Sequence, residues 1–352
     1  MKPLTKELLT ESYHFAKGQN IGFLDELSTR TLSEHYTPCP SWAIGPFQKK
    51  EEMTFHMPKQ WRDPTGIEWS AGFIFNPSLI EKDGALYLVY RATPKKETYA
   101  GRIGMAVYTP ENGWRDYENN PIIYPTADNE SYGCEDPKLY RVNDRYFLFY
   151  QSSWPTQGSE EFELYASQDY LASFTGSDIN LAVSDDLMHW EKKGTIMDYS
   201  VSRLWSKGAV IPRDPAGNAV KIDGRYVMFL SDGLGAQQHV GYSDDMINWT
   251  FEKRKYLDIS QYGHLYEVSC AVIDHDNEKK DMVLDFYYRN KDGKNAAGQM
   301  LYDRSDIYKQ IEFHEGGTLA WGGLIKYHGE WLFAQGWDAK NGDRDMFFYY
   351  AD

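Results

Sequence analysis

Two acids stand side by side in Gly133-Cys134-Glu135-Asp136-Pro137-Lys138-Leu139. Adjacent carboxyls in a dry setting suppress each other's ionisation, so one of them keeps its proton. A carboxyl that keeps its proton can serve as a general acid. Pro137 removes one ladder N–H and is expected to hold Asp136 extended. The plain alternative is a salt-bridged loop with Arg91 or Lys138 as partner. Glu267, in Tyr266-Glu267-Val268-Ser269, is the candidate second catalytic carboxylate, as a base or as an essential sugar-binding group; Asp285 and Asp338 could stand in its place. Bond cleavage between sugars uses such paired carboxylates.

Other residues qualify as binding groups by type and place. Arg91 ends an apolar run, Leu88-Val89-Tyr90, where a guanidinium has no solvent role and should reach an acid or an anion. Asn76-Pro77 repeats the layout of Asp136-Pro137, and Trp205-Ser206-Lys207-Gly208 offers a cation. Asn76, Arg91 and Lys207 are expected on the floor of a depression, with Glu135, Lys138, Asp232 and Asp338 around it. Trp154, Trp205, Trp321 and Trp337 are expected to stack on sugar rings or to wall the cleft.

The elements that position these residues repeat. Ser184-Asp185-Asp186-Leu187-Met188-His189-Trp190 is echoed at Ser243-Asp244-Asp245-Met246-Ile247-Asn248-Trp249, 59 residues on. A period of this size marks a supersecondary unit that cannot bury its apolar face alone. The Asp residues of this phrase read as structural: they can accept backbone N–H groups and fix a turn between outer strands. Five hairpins of one kind begin near Phe73, Pro137, Gly208, Cys270 and Gly322, several with Asp-Gly turns. The reading is an all-β fold, a five-bladed β-propeller spanning residues 39–352, behind a short helical extension at 1–38. Leu4, Leu8, Leu9, Tyr13 and Phe15 mark one amphipathic stretch of that extension, and Ile21, Leu24, Leu27 and Leu32 a second; it packs on the propeller or serves self-association. The segment Trp42–Trp61 is expected to complete the ring.

Composition narrows the partners. The formal charge of −15 and the shortness of basic runs such as Lys49-Lys50 exclude nucleic acid and anionic membrane as partners. Cys39, Cys134 and Cys270 have no metal spacing, so neither a metal nor a cofactor is expected. There is no apolar stretch of membrane-spanning length, and Met1–Thr10 lacks the apolar core of a secretory leader. An intracellular protein is expected, or a secreted or periplasmic one whose leader has been removed. Aromatic residues at 16% suit strands and leave flat surfaces for an oligosaccharide or glycoside.

Phe75-Asn76-Pro77, Leu88-Val89-Tyr90-Arg91-Ala92 and Gly133-Cys134-Glu135-Asp136-Pro137-Lys138, in that order, resemble the five-bladed glycosidases and phosphorylases of glycoside hydrolase family 130, which act mainly on β-mannosides. The resemblance implies an inverting mechanism with Asp136 as general acid; in the phosphorylases, the proton passes through a sugar hydroxyl. Two positions depart from it. Lys138 stands where the family usually has Arg, and Phe229-Leu230-Ser231-Asp232 replaces a His-Arg-Pro typical of the phosphorylases. A missing cation and an added acid favour water over phosphate, so hydrolysis is the first expectation. Phosphorolysis with inorganic phosphate as co-substrate is the second, and a non-catalytic glycan- or protein-binding propeller the third. An arabinosidase- or xylosidase-type mechanism is disfavoured by Asn76, which occupies the place of the Asp base.

Overall fold

The computed structural model describes residues 2–18, 36–59, 66–96, 98–155, 175–197, 206–231, 237–274, 281–318, 323–340 and 342–351. Its strands form five separate sheets, each read outward in chain order, and together they make a five-bladed β-propeller. Blade one comprises Phe73–Lys82, Ala85–Thr93, Arg102–Thr109 and Gly113–Asp116. Blade two comprises Gly133–Val142, Arg145–Pro155, Thr175–Ser184 and Glu191–Thr195. In blade three the inner strand is Lys207–Val210, followed by Tyr226–Ser231, Gln238–Ser243 and Thr250–Lys253. Blade four runs Gly263–Ile273, Met282–Asn290, Asn295–Tyr302 and Gln310–Glu315.

Blade five is completed from the other end of the chain. Ile325–Tyr327, Glu330–Gln335 and Asp345–Ala351 supply its first three strands. Gln48 and Lys49 then pair antiparallel with Tyr350 and Tyr349, and Phe55 with Met346. The expected contribution of Trp42–Trp61 to ring closure is this pairing. It ties the two ends of the ring by hydrogen bonds, leaving no open seam.

Local chemistry explains the hairpins. Asp83-Gly84, Asp223-Gly224 and His328-Gly329 all carry positive φ, as a tight two-residue turn between twisted strands requires. The repeated acids cap the outer turns: Asp186 Oδ1 accepts the N–H groups of Met188 and His189, and Asp245 Oδ1 those of Ile247 and Asn248. Their structural reading holds. Between blades the apolar faces merge; Trp69, Ile74, Leu79 and Leu88 of blade one are buried against Ile325, Leu332 and Phe348 of blade five. Burial of each such side chain contributes about 1.5–3 kcal/mol.

One helix, Lys6–Gly18, precedes the ring, with Ser12, Tyr13 and Ala16 buried. The second amphipathic stretch, from Ile21 to Leu32, lies outside the described residues. Among the described residues, no helix is long and apolar enough to cross a membrane.

Candidate active site

The inner strands of blades one and two slip register at the same place. Phe75 pairs with Arg91 and Ser78 with Val89, leaving Asn76 and Pro77 opposite one residue. Glu135 pairs with Gln151 and Lys138 with Phe149, leaving Asp136 and Pro137 in the same position. Asn76 and Asp136 both take φ of 46°. This corrects the expectation of an extended Asp136. A bulge needs a residue in the left-handed region to absorb the extra length, and Asn and Asp tolerate it better than most. The sequence rule for a residue before proline yields here to the register of the sheet.

The two bulges bring their side chains together. Asn76 Nδ2 donates to Asp136 Oδ1 at 2.6 Å. Arg91 Nη1 donates to the same oxygen at 3.0 Å, and its Nη2 lies 3.1 Å from Glu135 Oε1. Arg91 therefore pairs with both acids, and Lys138 donates to Ser269 O at 3.1 Å. The guanidinium also lies over the Phe75 ring, 4.6 Å from its centroid, and Nη2 donates to Thr98 O at 2.9 Å. Asn76, Arg91, Glu135 and Asp136 are all buried.

Burial sets the two carboxyls apart. It pushes Glu135 up to about 7, with Arg91 pulling down and Asp136 adding to the rise. Burial would raise Asp136 too, but Arg91, Lys207 and the hydrogen bonds from Asn76 and Arg91 hold it below the usual carboxylate range. Burial thus favours the protonated form of Glu135, while Arg91 and its companions favour the ionised form of Asp136. Burial also lowers Lys138 to about 8, against the pull of Glu267 and Asp136.

Blades three and four add Lys207 and Glu267, whose Nζ and Oε2 lie 4.0 Å apart. Glu267 is buried. Asp285 is buried as well and accepts from Gln299, from Thr318 N and from the Thr318 hydroxyl, with burial raising it to about 7. Asp338 receives the Tyr349 hydroxyl and donates its own N–H to Gln335.

Of the four tryptophans expected to stack on sugar rings or wall the cleft, Trp154 and Trp337 are described. Trp337 is 5% exposed, with its ring 5.1 Å from that of Phe75, and its Nε1 donates to Asn76 Oδ1 at 2.8 Å. Buried among Phe73, Phe75 and Tyr266, it stands in the wall behind Asn76, the second of the two places expected for it. Trp154 is half-buried over its cross-strand neighbour Gly176, where a Cβ would come within 2.4 Å of the indole. Trp205, Asp232 and Trp321 lie outside the described residues. Sequence reasoning missed Thr98 and Ser153, which contact Arg91 and Glu135 respectively. Neither sits in a motif, so no local signal pointed to them.

Comparison with known proteins places this geometry in a family. A family model described as beta-1,4-mannooligosaccharide phosphorylase, that of glycoside hydrolase family 130, matches residues 50–280. A 1,2-beta-oligomannan phosphorylase from Thermoanaerobacter sp. (strain X514) is 27% identical over 187 residues, 52% of this chain and 53% of the relative. The chain thus spans about half the length of the curated relatives it matches. Among solved structures, one of glycoside hydrolases within the same family that target beta-1,2 mannosidic linkages in Candida mannan has a TM-score of 0.67, at 18% identity, over 90% of this chain and 96% of the other. The beta-1,2-mannobiose phosphorylase of Listeria innocua, solved with beta-1,2-mannobiose, has a TM-score of 0.60 at 14% identity over 87% of this chain and 96% of the other. These two likenesses are of fold.

Proposed function

This chain belongs to glycoside hydrolase family 130, and from that premise we propose that it cleaves β-linked mannosides by phosphorolysis, with Asp136 as the proton donor. The observation that carries the reading is the position of Asp136: the bulge of an inner strand turns it onto Asn76 and Arg91, beside a second buried acid. In the reaction, the bond from the sugar's anomeric carbon to the leaving oxygen breaks. A phosphate oxygen bonds to that carbon from the opposite face, and the leaving oxygen takes a proton from Asp136. The phosphate releases its own hydroxyl proton to solvent as the ester forms, and Asp136 regains a proton from solvent. Asn76 and Arg91 both donate to Asp136 Oδ1 and favour its ionised form, so for it to act as donor a substrate hydroxyl displaces one of them and a proton enters before cleavage.

Phosphate rather than water is supported by the family model and the curated relatives. The sequence favoured water through a missing cation and through Asp232, which lies outside the described residues. Arg91, Lys138 and Lys207 remain as cations close to the acids, as recognition of an anion requires. Hydrolysis stays as a second reading on one observation. Glu267 is a buried carboxylate on the inner strand of blade four, beside Lys207, and could activate water.

The test incubates a panel of β-mannosides with and without inorganic phosphate and separates the products. Mannose 1-phosphate formed only with phosphate supports phosphorolysis. Equal release of free mannose in both arms transfers the conclusion to hydrolysis. No cleavage across the panel leaves a glycan-binding propeller instead.

A further inference from the structure

The N-terminal helix Lys6–Gly18 touches both chain segments that deliver the Arg91–Asp136 pair. At its C-terminal end, the last carbonyls of a helix have no partner within it. One of them, Ala16 O, accepts the hydroxyl of Thr98. Ala16 and Thr98 are both fully buried, so water cannot replace that bond. The carbonyl of the same Thr98 accepts Arg91 Nη2 at 2.9 Å, and Arg91 Nη1 reaches Asp136.

The chain ahead of the helix holds the other segment. Leu4 N donates to Thr126 O and Asp128 N to Lys2 O, each at 3.0 Å. Phe15 stacks on Tyr132, with ring centroids 5.3 Å apart and 19° between planes. Residues 126–132 lead straight into the inner strand that carries Glu135 and Asp136. The two held segments also touch each other: a Cβ on Gly133 would come within 2.0 Å of Tyr99 O, and Cys134 N donates to Gly101 O at 3.0 Å. The Lys17–Glu68 pair is largely exposed and adds little.

We infer that residues 2–18 form a positioning strap for the proton donor, acting through the Thr98 hydroxyl on Arg91 and through residues 126–132 on Asp136. Thr98 touches no substrate in this scheme; it fixes the carbonyl that fixes the guanidinium. The inference rests on the reading of Asp136 as proton donor. Without the hydroxyl, the loop carrying Thr98 loses its buried link to the helix, and Arg91 drifts with it. The loss should then fall on the proton-transfer step, in proportion to how much a leaving group needs that proton.

The experiment compares full-length Thr98→Val, Thr98→Ser and Asp136→Asn on two substrates under the acceptor conditions that give turnover. One is an unactivated β-mannoside and the other 2,4-dinitrophenyl β-mannoside, whose leaving group departs without a proton. Thr98→Val keeps the side-chain shape and removes only the hydroxyl. Its kcat on the unactivated substrate should fall roughly 10-fold, on a scale where a 1 Å misplacement costs about 10²-fold. KM should hold, dinitrophenyl turnover should hold, and Thr98→Ser should restore the loss. An equal loss on both substrates, a change in KM alone, or no rescue by Ser overturns the strap and leaves a packing role. Should Thr98→Val fail to fold, as read by its thermal midpoint, Leu4→Pro removes the N–H given to Thr126 and must show the same leaving-group dependence. Asp136→Asn tests the underlying reading by itself. If it keeps full activity on the unactivated substrate, Asp136 is not the donor, whatever Thr98 does.

Discussion

Replacing Glu135 with Gln asks whether the buried pair shares its charge as the geometry implies. Glu135 is 6% exposed, with Arg91 on one side and Asp136 beside it in sequence. Burial lifts its carboxyl from 4.5 to about 7. At about 1.4 kcal/mol for each pH step, that rise amounts to roughly 3 kcal/mol. The sign follows from proton binding. Below pH 4.5 both folded and unfolded chains hold the proton, and the full contribution is present. Between pH 4.5 and about 7 the unfolded chain has released it while the folded chain keeps it, so stability falls as pH rises. Above about 7 the contribution is gone. Glu135→Gln has no proton to lose, so its curve lacks this decline. Urea unfolding of both proteins at closely spaced pH values from 4.5 to 8 should show the wild type losing roughly 3 kcal/mol relative to the variant across that window. Titrating groups remote from the pair cancel in the difference, and Asp136, which Glu135 influences, is already ionised across this window. Parallel curves, or a gap that widens in the opposite direction, would refute the assignment of the proton to Glu135.

Asp136→Asn should leave the fold intact and lower turnover of unactivated substrates by roughly 10²–10⁴-fold, read from initial rates. Gly101→Ala should destabilise by about 1–3 kcal/mol and disturb activity together, since a Cβ there meets Cys134 O at 2.9 Å and Arg91 Nε at 3.2 Å; a fully active, fully stable variant would deny that contact. Asp245→Ala should cost about 1 kcal/mol in urea unfolding without changing kcat, because it removes a turn cap that accepts Ile247 N, Asn248 N, the Ser243 hydroxyl and Asn248 Nδ2, all within one outer loop.

The fold was legible because its signals are local. Asp83-Gly84 and Asp223-Gly224 state their turns in two residues, and the Ser-Asp-Asp phrase caps its own loop. Part of the site was legible for the same reason: Arg91 and the two adjacent acids were odd enough in an apolar strand to demand a partner, and they found one another. What stayed hidden depends on register and on distant chain. The left-handed Asp136 follows from a slip between two strands, which no dipeptide rule contains. Trp337 was expected on a sugar ring or in the cleft wall, but that its indole would donate to Asn76 was not readable from residues 261 positions apart. Thr98 gained its place from a helix 82 residues away in the chain.

The register slip also shows how a repeated blade becomes a single site. The first bulged residue is Asn76 in blade one and Asp136 in blade two, and the same slip in blade three falls on Gly208, with φ of 46°, 46° and 95°. The slip thus recurs in the inner strands of blades one to three, and in blade three Ala209 also takes a positive φ of 52°. In blade three a Cβ would meet Val268 at 2.8 Å, and glycine stands there. The residue before each bulge diverges in step: Phe75 lies beneath Arg91, Glu135 pairs with it, and Lys207 faces Glu267. Equivalent backbone positions thus supply a ring, an acid and a cation around one carboxyl. That asymmetry lies in the side chains and not in the backbone slip they share, and it gives blades one to three different chemistry at equivalent positions.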